Sequence, residues 1–396
     1  MLASEVLGIV KKTLLLLPGP VPVAQPVLEA MAWPMINHRG PEFTELQGRL
    51  ERDMRPIFGT EGDVVFLGCS GTGGLEAAVA STFSPGDHLL SCPVGVFGKR
   101  LAAIATSFGC TVEMLETPLG SSLDPQALAA RLEADTERRI AGVLFTHNET
   151  STGVQNDMSA YVPALKKHGA ISIVDSVSGL GASHFAMDSW GYDVVVTASQ
   201  KALAVPPGVA MVAVSERGWG AMERARGARF YFDLLKAREF ARNGQTPWTP
   251  PISVFYALAV SLSRYHSAGM ESQFARHAGY ARAIRAAFET LGFTIFSAPD
   301  AHSVTVVAAT PPAGVQAGAF LTRLREEYGV VLSGGQGELA GKIVRMGTMG
   351  DVSTGDILGA IGSIECALAD IGAPVELGSG VAAASSELRA AATVTA

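Results

Sequence analysis

The segment Asp193-Val194-Val195-Val196-Thr197-Ala198-Ser199-Gln200-Lys201-Ala202 decides the fold. Its apolar, β-branched centre reads as a buried strand. The pattern recurs upstream. Ala170-Ile171-Ser172-Ile173-Val174 is apolar and ends in Asp175, and Ile140-Ala141-Gly142-Val143-Leu144-Phe145 precedes it. Earlier still come Thr111-Val112-Glu113-Met114, Asp87-His88-Leu89-Leu90 and Val64-Val65-Phe66-Leu67. Helical stretches separate these runs: 42–58, the residues after Ser70-Gly71-Thr72-Gly73-Gly74, 99–108, and a helix opened by Asp124 as N-cap with Pro125 at its first position. Unbroken apolar strands alternating with helices predict an α/β fold, a mostly parallel sheet between two helical layers. Ligands of such sheets bind beyond the carboxyl ends of the strands.

The chain has 396 residues, enough for two domains of ~150 residues each. Residues 1–17 read as an N-terminal arm and 18–252 as a large domain. Pro247, Pro250 and Pro251 then make a rigid passage. A long helical region from Ser253 opens a smaller C-terminal α+β domain, 253–377. From Gly378 the Ala/Ser/Gly-rich residues 378–396 read as a flexible tail. The chain is 48% hydrophobic and 17% charged, with net charge −7 and no basic block, which argues against nucleic acid. Cys69, Cys92, Cys110 and Cys366 form no C-x-x-C pair and no His/Cys cluster has metal spacing, so no metal is expected. No apolar stretch reaches the ~18 residues of a membrane span. The expectation is a cytoplasmic protein with core thiols.

Several strand ends carry chemistry. A lysine at the end of a buried strand keeps a poorly hydrated ammonium, so its pKa falls and the amine can condense with a cofactor aldehyde. Lys201 is so placed, although a lysine there can also sit in an ordinary salt bridge or snorkel. Asp175 can hold a pyridine nitrogen protonated, or simply cap the next turn. Together the two residues match what pyridoxal phosphate chemistry requires. Ser70-Gly71-Thr72-Gly73-Gly74 follows a strand and opens a helix, a backbone that cradles anions. It is no dinucleotide fingerprint, because Glu76 stands where a third glycine belongs. Val177 could press one face of a ring, and Phe97, on a flexible loop, could stack on a cofactor ring or simply pack in the core. Thr150, in the polar loop Thr146-His147-Asn148-Glu149-Thr150-Ser151-Thr152-Gly153, can donate to a ring oxygen. His147 is a candidate acid or base or a structural hydrogen-bonder. Arg345 ends a strand of the second domain and can clamp a carboxylate through two parallel hydrogen bonds.

These stretches, with Pro18-Gly19-Pro20, Asn37-His38-Arg39-Gly40-Pro41-Glu42-Phe43, Pro206-Pro207-Gly208 and Lys342-Ile343-Val344-Arg345-Met346-Gly347, span residues 14–350 in order. The chain resembles the class V aminotransferases of fold type I, near the alanine-glyoxylate, serine-glyoxylate and serine-pyruvate group. The resemblance implies a pyridoxal-phosphate-dependent transaminase with a large domain and a smaller C-terminal domain. It implies that Lys201 carries the cofactor, that Asp175 binds the pyridine nitrogen, and that Phe97 stacks. Ser70, Gly71, Thr72 and Gln200 would hold the phosphate. Thr249 would reach the phosphate of a neighbouring subunit, making the unit a homodimer with its active sites at the interface. Arg345 would take the carboxylate of the amino or keto acid. Relatives often place a tyrosine where this chain has Thr246. The C-terminal part also resembles pyridoxamine-pyruvate aminotransferase, in Val214-Ser215-Glu216-Arg217-Gly218-Trp219 and Tyr328-Gly329-Val330-Val331. That enzyme has an acid at the Ser70 position and arginine at the Gln336 position. A cysteine desulfurase would carry His before the lysine, where this chain has Gln200.

Overall fold

Seven strands form the central sheet of the computed structural model, which describes residues 13–394. They are β1 (Asp63–Leu67), β2 (His88–Cys92), β3 (Thr111–Met114), β4 (Ile140–Thr146), β5 (Ile171–Asp175), β6 (Val194–Ala198) and β7 (Ala210–Val214). Their order across the sheet is β1-β7-β6-β5-β4-β2-β3. Only β7 runs antiparallel to its neighbours; the pairs from β6 to β3 are all parallel. The alternation of side chains divides each strand between two cores. Val64 and Phe66 face a cluster with Phe43, Leu50, Phe145 and Phe255. Val65 and Leu67 face another with Leu75, Val79, Leu101 and Trp219. A sheet so covered favours apolar residues at most strand positions, which is why its strands were legible as largely apolar runs.

The register sets the site. Thr146 lies opposite Asp175, and Asp175 opposite Val196. The chain leaves β4, β5 and β6 at one edge of the sheet. After β6 it turns tightly: Ala204 N–H donates to the Lys201 carbonyl at 2.8 Å, with Ala204 held at φ 52°. A non-glycine residue there costs about 1–2 kcal/mol. The turn holds Lys201 at the sheet edge.

The smaller domain is a four-stranded antiparallel sheet, Thr294–Ile295, Val306–Thr310, Val344–Gly347 and Ser333–Gly334 in spatial order. Tyr280, Ile284, Phe288, Phe320 and Ile361 pack in its core.

Three expectations are corrected. The helical region from Ser253 is two helices, Ile252–Ala268 and Met270–Thr290, separated at Gly269 with φ 83°. The first buries Phe255, Leu258 and Leu262 in the large domain's core, and Phe255 lies 5.5 Å from Phe43 and 5.8 Å from Phe66 between ring centroids. An apolar helix does not announce which core it joins. Residues 1–12 of the expected arm lie outside the described residues, but Leu14–Leu15 pair in parallel with Val330–Val331 and Leu16 is buried in the small domain's core. The expected flexible tail forms a helix, Ser379–Val394, with residues 395–396 outside the described residues. Ala384 is fully buried, and Glu365 accepts the N–H groups of Gly378 and Val381 at 2.7 and 3.0 Å. Alanine is the best helix former, and its small side chain permits close docking; the composition mimicked disorder. No helix among the described residues is long and apolar enough to cross a membrane.

Candidate active site

Five βα or loop segments converge at the sheet edge. After β1, the helix Gly71–Thr82 begins with Ser70 as N-cap, its hydroxyl making no cap bond. The first amides of a helix have no partner within it, so Gly71, Thr72 and Gly73 offer N–H donors where the helix dipole favours an anion. Gly71 is required for close approach: a Cβ there would lie 2.8 Å from Val177 Cγ2 and 3.2 Å from Ala198 Cβ. That places Val177 directly against the anion cradle. The side-chain oxygen of Gln200 is buried without a hydrogen-bond partner; it can only accept, so an anion beside Gln200 would have to meet the carboxamide N–H₂ instead. Free helix amides and two hydroxyl-bearing residues, Ser70 and Thr72, fit a phosphate group.

Asp175 ends β5 and is 5% exposed. Its Oδ1 accepts the Val177 N–H at 3.0 Å, and Oδ2 accepts no hydrogen bond from the described residues. Burial pushes its pKa up to about 7; Glu149 adds to this, while Lys201 and Arg100 oppose it. A cationic N–H against the free oxygen would restore the carboxylate. Lys201 Nζ donates to the Pro18 carbonyl at 2.6 Å. Gly19 makes room: a Cβ there would lie 2.6 Å from Nζ, and its φ is 126°. Burial pulls the Lys201 pKa down to about 8; Asp175 works against this, Arg345 and Arg100 with it.

The sign of that shift gives a test. An ordinary lysine titrates near ~10.4. In the cofactor-free protein, amine labelling of Lys201 should rise with pH through a midpoint at about 8. Between that value and the ordinary one the unfolded chain holds the extra proton, so stability rises with pH across the window. Peptide-resolved labelling against pH measures the midpoint; a midpoint at the ordinary lysine value would mean a solvated amine.

Arg345 is 4% exposed. It donates from Nε to the Gly334 carbonyl at 2.8 Å and from Nη1 to the Thr150 carbonyl at 2.7 Å. Burial lowers its pKa and Glu149 supports its charge. Nη2 donates to nothing among the described residues, leaving a guanidinium edge free for an anion. Phe97, in the first turn of the helix Val96–Ser107, carries the Arg100 guanidinium 4.6 Å from its ring centroid.

Other candidates fall outside this cluster. His147 is buried, with Nδ1 2.8 Å from Ser176 Oγ, and burial drops its pKa to about 4; it is a neutral structural hydrogen-bonder. Burial raises the Cys69 thiol to about 12, an inert group. Thr246 is buried and ties the loop, with Oγ1 donating to the Trp248 carbonyl at 2.8 Å. Thr249 is exposed, next to Trp248, which stacks on Tyr231 at 5.8 Å. Within this chain it contributes no described contact to the site. Among the described residues no three His, Cys, Asp or Glu side chains group as metal ligands. The Pro18 carbonyl, Arg100 and Glu149 belong to the site but were not singled out from sequence. Arg100 carried a signal, sitting three residues after Phe97 and so on the same helical face.

A parallel-sheet edge bearing a lysine of lowered pKa, a buried aspartate, an anion cradle and a buried arginine defines a pyridoxal-phosphate enzyme of fold type I. The Aminotransferase class-V family matches residues 28–348, and the chain belongs to that family. It is 39% identical over 375 residues to the soluble hydrogenase 42 kDa subunit of Anabaena cylindrica, covering 94% of this chain and 98% of that one. It is 38% identical over 378 residues to the L-aspartate–glyoxylate aminotransferase of Paracoccus denitrificans, covering 94% and 95%. The crystal structure of pyridoxamine-pyruvate aminotransferase from Mesorhizobium loti superimposes with TM-score 0.91 at 30% identity, covering 96% of this chain and 98% of that one. The protein is an aminotransferase that uses pyridoxal phosphate.

Proposed function

We propose that the chain moves an amino group from a small amino acid, alanine or serine, to a 2-oxo acid, glyoxylate or pyruvate. The sequence is ping-pong: the first keto acid leaves before the second binds. The observation that carries this reading is the free edge of the buried Arg345 guanidinium. A carboxylate gains two parallel charge-assisted bonds there, and an amino acid so held presents its amine toward Lys201.

Bound here, pyridoxal phosphate supplies the aldehyde that takes up the amino group and the ring that accepts electrons released at Cα. The chain's residues do the rest. Lys201 Nζ, close to half neutral at pH 8, would take the proton from the donor's Cα and deliver it to the carbon of the former aldehyde. Asp175 Oδ2 holds a proton on the pyridine nitrogen. Ser70, Gly71, Thr72 and Gln200 hold the phosphate, Phe97 and Val177 enclose the ring, and Thr150 meets its oxygen.

The working unit in this reading is a homodimer, with Thr249 reaching the partner's phosphate. Trp33, Met35, Phe230 and Tyr231 are exposed large apolar side chains, surface of the kind that subunits cover. Four free thiols suit the cytoplasm. A pyridoxamine donor is the second reading, favoured by the structural likeness to the Mesorhizobium enzyme. The uncharged cradle at Ser70-Gly71-Thr72 favours a tightly held phosphate cofactor instead.

Alanine, serine, aspartate and pyridoxamine, each offered against glyoxylate and pyruvate, separate these readings by keto-acid or aldehyde release. Turnover should be highest with alanine or serine. Turnover with pyridoxamine alone would overturn the proposal, as would a clear preference for aspartate.

A further inference from the structure

We infer that Glu149 is a positioning residue for the cofactor ring, fixing the start of the helix Val96–Ser107, and Phe97 with it, against the loop that holds Arg345. Glu149 is fully buried. Its Oε2 accepts the N–H groups of Phe97 and Gly98 at 3.0 and 3.1 Å. Its Oε1 accepts the Ser151 N–H at 3.0 Å and the Ser151 hydroxyl at 2.6 Å. The Ser151 oxygen in turn accepts the Val96 N–H at 3.0 Å. The N-cap of this helix is Gly95, which has no side chain to cap it, so the cap arrives from fifty residues away in sequence. Between Glu149 and Ser151 stands Thr150, whose carbonyl accepts Arg345 Nη1 at 2.7 Å. One three-residue loop thus fastens the aromatic ring of the large domain and the guanidinium of the small one.

A carboxylate is needed here because donors approach both oxygens. A carboxamide of the same shape must turn its N–H₂ toward one donor pair, leaving buried N–H groups unpaired. The charge matters as well: Glu149 supports the ionised form of Arg345 and raises the pKa of Asp175. Neutralising it loosens the loop that holds Arg345 but also removes a negative charge near the bound carboxylate, and the two effects oppose each other in substrate binding while the ring loses its support.

The inference rests on the reading of Phe97 as the stacking ring, and the experiment separates the two. Glu149→Gln, Phe97→Leu, Ser151→Ala and Ser353→Ala are compared. Ser353 closes a capping box on the distant helix Thr354–Asp370, its hydroxyl accepting the Asp356 N–H at 3.1 Å and donating to Asp356 Oδ2 at 2.6 Å; it controls for ordinary loss of stability. Glu149→Gln should lower the circular dichroism of the bound cofactor band and weaken cofactor affinity about tenfold, the scale of one lost helix cap. It should lower kcat by a similar factor with KM for the carboxylate substrate little changed. Ser151→Ala should do the same more weakly, and carries the test if the glutamine variant does not fold. Ser353→Ala should change neither the dichroism nor the affinity. If Phe97→Leu alters both and Glu149→Gln alters neither, Glu149 has no positioning role. If Phe97→Leu alters neither, the stacking reading falls, and this inference with it.

Discussion

Lys201→Ala should lower transamination roughly ten-thousandfold while leaving the fold intact. Two functions disappear together. The cofactor loses its covalent anchor, and the proton at the donor's Cα loses its base. The remaining groups still bind: Ser70, Gly71, Thr72 and Arg345 lie on other segments, and none depends on the lysine ammonium for a hydrogen bond. Stability should not suffer. Burial disfavours this ammonium, pulling its pKa to about 8, so its removal deletes a cost along with the bond to Pro18. Absorbance of the purified variant gives the direct check. Wild type should show a cofactor band that borohydride fixes to the peptide containing residue 201. The variant should bind cofactor without that fixation. Fixation at another lysine, or turnover within tenfold of wild type, would remove Lys201 from its assigned role.

Asp175→Asn should cost roughly 100- to 1000-fold in kcat, the scale of losing one preorganised electrostatic partner of the reacting system. The substitution is nearly isosteric, and the asparagine carbonyl oxygen can still accept the Val177 N–H that Asp175 accepts at 3.0 Å. What changes is the other position, where an N–H₂ group replaces a carboxylate oxygen. That group cannot stabilise a protonated pyridine nitrogen. A second consequence follows for the lysine. Asp175 is the charge that holds the Lys201 pKa up against burial. Neutralising it should move the amine's titration midpoint below about 8, with no new contact made. Labelling against pH reads that displacement independently of turnover. An unchanged midpoint would mean that the two groups do not sense one another.

Much of this site was legible because its charged groups follow apolar runs. Asp175 and Lys201 are delivered to one edge by the parallel sheet, whereas Arg345, expected at a strand end, lies within Val344–Gly347 of the antiparallel sheet. The anion cradle was legible because a glycine-rich turn between strand and helix is a local feature. Glu149 was not. A buried glutamate looks like any loop carboxylate until Phe97 and Gly98 arrive as donors, and that meeting is made by tertiary structure. The Pro18 carbonyl was invisible for a deeper reason: every residue has a carbonyl, and only the chain path chooses this one. The fold divides the same way. Strand and helix types followed from periodicity, but Ile252–Ala268 and Met270–Thr290 looked like one helical region, and only packing assigned them to different cores. The alanine-rich end had the composition of a linker and the propensity of a helix, and docking against the small domain decided for the helix.

The small domain takes its first strand from Leu14–Leu15 and its partner from Val330–Val331, with Gly347 N–H donating to the Leu16 carbonyl at 2.7 Å. On the ribosome, residues 14–16 emerge more than three hundred residues before the strand that receives them. The central sheet and its helices can assemble meanwhile, with Val21 against Ala182 and Ala202, but residues 14–16 have no strand to join. Each nascent enzyme therefore passes through a stage in which the segment leading into Pro18 is unpaired, which ends only when the last third of the chain has been translated. A product truncated before Val330 would leave that segment without its strand, however well its larger half had folded.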